Sequence, residues 1–146
     1  MSTVHMSTAR VAALQTALAA EHAAIYVYGV LGGRTSASQD PTLADSLRTA
    51  YDDHVTARDA LIDRVVAAGS DPVGSSAAYA RPGGIDSPSG VRRAALQVER
   101  RCAAAYLAGM AAVTGTDRRL LVGALGDTAV RELAFGGAPE TFPGTR

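Results

Sequence analysis

Residues 70–86 read SDPVGSSAAYARPGGID, and the reading of this stretch decides how the rest of the chain can fold. Glycine, proline and serine crowd it, and its apolar residues follow no helical period, so no regular element is expected there. On either side lies alanine-rich sequence with apolar residues at three-and-four spacing and almost no alternating Val/Ile runs, which predicts helix throughout. The spacing predicts helices over about 8–31, 41–68, 88–113 and 117–135. Gly32-Gly33 ends the first. Asp40 caps the second, with Pro41 at its first helical position, and Gly69 stops it. Ser87 and Pro88 repeat that start for the third. Thr116 is expected to cap the fourth, with Asp117 in the first turn and Gly136-Gly137 past the end.

Few residues separate the first two helices and fewer the last two, so each pair should form an antiparallel hairpin. The middle link is of another kind. A helix of about 25 residues is roughly 38 Å long, and an extended chain covers up to about 3.3 Å per residue. Residues 70–86 can therefore run the whole length of a bundle. An up-down-up-down bundle has no use for such a link, whereas one long crossover between the second and third helices is ferritin-like connectivity. The expected fold is all-α: one domain over residues 1–146, a ferritin-like four-helix bundle of two antiparallel hairpins joined by a long crossover.

Composition limits the function classes. A chain of 146 residues is one domain by length. Lys plus Arg equals Asp plus Glu at 14 each, so no basic field invites nucleic acid or anionic lipid. The single Cys102 leaves no internal disulfide and no thiolate-rich zinc site, and its place on an apolar helix face reads as a buried structural thiol. No charged segment followed by an apolar run opens the chain as a secretory signal would. The longest apolar stretch, residues 17–30, is interrupted by Glu21 and His22 and is too short to span a membrane. A cytoplasmic protein without membrane or nucleic-acid partners is expected.

The helical stripes place ionisable residues inside. In the first helix the stripe runs Val11, Leu14, Leu18, Glu21, Ile25, Tyr28, with His22 on its flank; in the second, Leu43, Leu47, Ala50, His54, Ala57, Leu61. Arg58 lies one turn beyond His54. The third gives Leu96, Glu99, Ala103, Tyr106, Met110, Val113. The fourth has two readings: Leu120, Gly123, Asp127, Val130, Ala134 turns Asp127 inward, while Leu121, Leu125, Thr128, Glu132, Phe135 favours Glu132. Tyr28 follows Glu21, and Tyr106 follows Glu99, by two helical turns, so each tyrosine shares a face with its glutamate. An unpaired buried carboxylate is costly, so these groups need one another or a metal.

Bundles that hold two irons or manganeses use a Glu from each of two helices and a Glu-x-x-His from each of the other two. Glu21 and Glu99 fill the single-Glu positions. The second helix, however, offers Tyr51-Asp52-Asp53-His54, with tyrosine in the carboxylate position, and the fourth offers Asp127-Thr128-Ala129-Val130, with valine in the histidine position. An intact dinuclear oxidase or peroxidase centre is not expected.

EHAAIYVYG at Glu21–Gly29, His54 with Arg58-Asp59, Glu99, Asp127-Thr128-Ala129-Val130 and the tail Thr141-Phe142-Pro143-Gly144 together resemble the alanine-rich, ferritin-like family of unknown function found in actinobacteria. The resemblance covers nearly the whole chain. It implies a ferritin-like bundle and no reaction. It also implies a glutamate in the slot where this chain has the shorter Asp127, which favours Asp127 over Glu132 as the inward group.

The leading functional reading is a non-catalytic protein without cofactor, in which Glu21, His54, Glu99 and Asp127 form a polar core. Arg58 supplies compensating charge there, with Tyr28 and Tyr106 as hydrogen-bonding partners. The alternative is one iron, manganese or zinc ion held by Glu21, His54, Glu99 and Asp127, with a possible redox role; an enzyme of this kind would be a metal-dependent oxidoreductase. His22 reads as a helix-flank residue rather than a ligand, and His5 lies in a start expected to fray. The Arg92-Arg93 and Arg100-Arg101 pairs read as solvated or interface positions. Self-association as a homodimer is expected.

Overall fold

A computed structural model describes the backbone of residues 2–145 and the side chains of residues 7–145. Among the described residues the chain forms four α-helices and one short 3-10 turn, with no strand. They are α1 (Ser2–Arg34), α2 (Pro41–Ala67), α3 (Pro88–Gly109) and α4 (Gly115–Ala134), with the 3-10 turn at Met110–Ala112 between the last two. The starts of α2 and α3 follow the expected chemistry. Asp40 Oδ1 accepts from Leu43 N at 3.0 Å, and Ser87 Oγ accepts from Gly90 N at 3.2 Å, each with proline at the first helical position.

Three boundaries differ from expectation. Helix α1 reaches back to Ser2 rather than beginning near residue 8, while the side chain of His5 lies outside the described residues. Helix α3 stops at Gly109, where a Cβ would sit 3.1 Å from Leu121 Cδ1 and 3.3 Å from Ala13 Cβ. At this glycine α3 packs tightly against Ala13 of α1 and Leu121 of α4, and the chain tightens into the 3-10 turn just after it. The cap position of α4 is Thr114, not Thr116, and its side chain makes no capping bond. Asp117 supplies the negative charge at that end instead.

Ion pairs between helix ends fix the topology. Asp117, in the first turn of α4, accepts from Arg10 Nε near the start of α1 and from Arg64 Nε near the end of α2, both at 2.5 Å. At the other end, Arg92 Nη2 in the first turns of α3 donates to the α2 cap Asp40 at 2.8 Å. Thus α1 and α4 run one way, α2 and α3 the other, and the order is up-down-down-up. Helix α1 packs along both α2 and α3, α3 packs along α4, and α2 and α4 meet only slightly. The link between α2 and α3 must then traverse the bundle, and it does so along α1. Gln15 holds the link at both Asp71 and Val73, His22 Nε2 contacts the Val73 carbonyl at 3.0 Å, and Tyr26 meets the Tyr79 ring at 5.3 Å between centroids.

This arrangement explains why α1 is apolar on so many sides: it is covered by two helices and the crossover. Leu14, Leu18 and Leu31 are wholly buried there, with Leu47, Leu61, Val65 and Leu121 from the other helices. Each such side chain contributes about 1.5–3 kcal/mol relative to exposure. Among the described residues no helix is long and apolar enough to cross a membrane.

Candidate polar centre

Three of the expected inward groups converge. Glu21, His54 and Glu99 are each 0% exposed, and they come from α1, α2 and α3. His54 Nδ1 lies 2.6 Å from Glu21 Oε2, and its Nε2 lies 3.0 Å from Glu99 Oε1. The His54 ring stacks on Tyr28 at 5.2 Å between centroids, and Tyr28 OH donates to Glu99 Oε1 in a very short bond. The helical stripes of α1, α2 and α3 are therefore correct in the middle of the bundle.

The fourth helix and the compensating cation differ from expectation. Asp127 is exposed, and so is Val130 on the same stripe. The face turned inward is the other one, with Leu121, Thr128, Glu132 and Phe135 buried. The reason is packing volume: Leu121 and Phe135 fill space against α3 and α1 that Gly123 and Ala134 would leave empty. Glu132 does not join the centre either. It pairs with Arg100 Nε at 3.6 Å, and burial together with Glu140 raises its pKa above the ordinary carboxylate value.

Arg58 is not the cation of the core. It is partly exposed and pairs with its neighbour Asp59 at 2.8 Å. Arg131 takes that role, its Nε donating to Glu99 Oε2 at 3.0 Å and its Nη1 to Asp53 Oδ2 at 3.2 Å, so it joins the buried centre to the surface. The signal available in the sequence was charge balance: two buried carboxylates against one imidazolium require a second cation. Arg131 is hard to single out in the sequence because it falls between the two candidate inward faces of α4, one turn after Asp127 and beside Glu132. Tyr106 is wholly buried, but its hydroxyl has no partner among the described residues.

The protonation pattern follows from the geometry. A neutral imidazole has one N–H, so it can donate to only one of two carboxylates. Both ring nitrogens of His54 face carboxylate oxygens, so the imidazolium is favoured. Burial alone would lower its pKa, but the hydrogen bonds and charges of Glu21 and Glu99 prevail and push it up to about 9. Glu99 is burdened by burial too, yet His54, Arg131 and Tyr28 bring it below the ordinary carboxylate value. Glu21 goes the other way: burial outweighs His54 and raises it. Burial, with Glu99 beside it, holds the Tyr28 phenol far above its usual range, so it acts as a fixed donor.

A dinuclear metal centre does not fit these residues. Tyr51 and Val130, at the positions where such a centre needs a carboxylate and an imidazole, are both exposed, and the guanidinium of Arg131 occupies a carboxylate oxygen of Glu99. A smaller donor set does exist. Ligand atoms of Glu21, His54 and Cys102 lie within 4.8 Å of one another, and Glu21 Oε1 has no hydrogen-bond partner among the described residues. The Cys102 thiol is raised well above its usual pKa, first by burial and then by the two glutamates, which disfavours the thiolate that a metal needs.

No curated protein matches the chain. Among solved structures it is similar to the crystal structure of a conserved hypothetical protein, rv2844, from Mycobacterium tuberculosis. The two are 31% identical, the match covers 88% of this chain and 95% of that one, and the TM-score is 0.80. The model of the family described as Domain of unknown function (DUF4439) matches residues 13–146, and the chain belongs to that family.

Proposed function

We propose that this chain is a non-catalytic bundle protein with ferritin-like architecture, in which a closed ionic network occupies the place of a metal centre. The up-down-down-up order with one long crossover supports the ferritin-like reading. The observation that carries the network is that both ring nitrogens of His54 face carboxylates while Arg131 neutralises Glu99. Two acids and two cations leave the interior electrically balanced without an ion. The work of such a protein falls to its outer surface. The outward side of α4, with Val122, Val130 and Leu133 exposed, supports a homodimer.

The second reading is one iron, manganese or zinc ion, favoured by the closeness of Glu21, His54 and Cys102 and by the orphaned Glu21 Oε1. Such an ion would displace the proton on His54 Nδ1. Expression with iron, manganese and zinc supplied in turn, followed by elemental mass spectrometry of the purified chain, separates the two. The network reading expects metal far below one ion per chain in every case. A stoichiometric ion that is lost in Glu21→Gln would overturn it.

A further inference from the structure

We propose that the pocket between the crossover and α3 binds a small organic phosphate. The pocket has a volume of about 280 Å³ and is lined by Arg81 of the crossover and by Arg93 and Arg101 of α3. Among the described residues no acidic group lines it. Arg93 and Arg101 are eight residues apart, so α3 presents them on one side about two turns apart.

The neighbouring arginines show that this is not an indifferent charged surface. Each Arg-Arg pair on α3 is split. Arg92 is committed to Asp40 at 2.8 Å and Arg100 to Glu132 at 3.6 Å. Their partners Arg93 and Arg101 have no ion pair among the described residues, and neither does Arg81. In a chain whose formal charges cancel, three guanidinium groups without counter-charge share one concavity. A phosphate monoester carries about −1.5 to −2 charge near neutral pH and offers three acceptor oxygens. Guanidinium forks match that geometry, and a single carboxylate would neutralise only one of the three.

The floor explains the organic part. Val27 and Val98, nearly buried, line the same pocket and offer an apolar surface to the body of an ester. The wall is built by backbone contact. Gly84 has φ +67°, and its carbonyl rests on Gly90, where a Cβ would come within 1.8 Å of that oxygen. Glycine at position 90 therefore sets how closely the crossover sits over α3 and so the width of the pocket.

Isothermal titration calorimetry of the full chain with phenyl phosphate, inorganic pyrophosphate and benzoate tests this. Phenyl phosphate should bind saturably, one per chain, and more tightly than benzoate. The Arg93→Gln/Arg101→Gln variant should bind it at least about tenfold more weakly, as loss of charge-assisted hydrogen bonds implies. Arg118→Gln, an exposed arginine on α4, should leave binding unchanged. The double variant removes no ion pair and should melt as the wild type does. Absence of saturable binding, equal affinity in the double variant, or benzoate binding as well as phenyl phosphate would each overturn the proposal. Binding of pyrophosphate alone would also overturn it, because the apolar floor would then have no role.

Discussion

At the scale of single residues, the interior of this protein is organised by charge compensation rather than by apolar packing alone. Glu99 is the hub, accepting from Tyr28, His54 and Arg131 at once. Removing one member of such a group leaves another charge buried without its partner, which costs about 3–5 kcal/mol in comparable sites. Arg131→Ala should therefore destabilise the fold by about that much, read as the midpoint shift in urea unfolding. Arg58→Ala should cost under about 0.5 kcal/mol, since its pair with Asp59 is solvated. Equal effects for the two would show that Arg131 is not the compensating cation. Glu21 and His54 were readable from the helical stripe because their helices carry large apolar residues on both sides of them. Charge balance called for a second cation but did not say which arginine, because apolar residues fall on two faces of α4 and the exposed Val130 completes a stripe that imitates a core one.

At the scale of elements, the crossover is the feature that both the sequence and the fold turn on. Its lack of helical period and its length predict a segment that runs the length of the bundle, and it does. The sequence does not say which helix it follows, because the contacts that decide this are single side chains. Gln15 takes both Asp71 and Val73, His22 reaches the Val73 carbonyl, and Tyr26 lies against Tyr79. His22, the flank residue beside Glu21, is thus a clasp for the crossover. In Gln15→Ala/His22→Ala, amides in residues 70–79 should exchange with deuterium at least about tenfold faster while those in the core of α3 stay protected, as expected of a local opening. Unchanged exchange in that segment would mean that the crossover is held by something else.

At the scale of the whole molecule, charge pairs at the two ends and one buried cluster in the middle determine how four helices are ordered. Asp117 gathers the starts of α1 and α4 with the end of α2 at one end. Asp40 and Arg92 join α2 and α3 at the other. Between them His54 links α1, α2 and α3, and Arg131 brings in α4. Four helices and their connection lengths were legible because Gly, Pro, Ser and Asp mark the boundaries. The face that α4 turns inward was not, since it depends on the volumes of Leu121 and Phe135 against their neighbours.

The linkage has a definite sign. A histidine raised from 6.5 to about 9 adds stability that is fully present below its unfolded pKa and is lost as pH rises through about 9. The most direct measurement is a nitrogen-15 NMR titration of the His54 side chain from pH 6 to 10. Both ring nitrogens should carry protons at pH 7.5, and the midpoint should fall near 9. A single protonated nitrogen at that pH, with a midpoint below the ordinary histidine value, would contradict the buried imidazolium on which the metal-free centre rests.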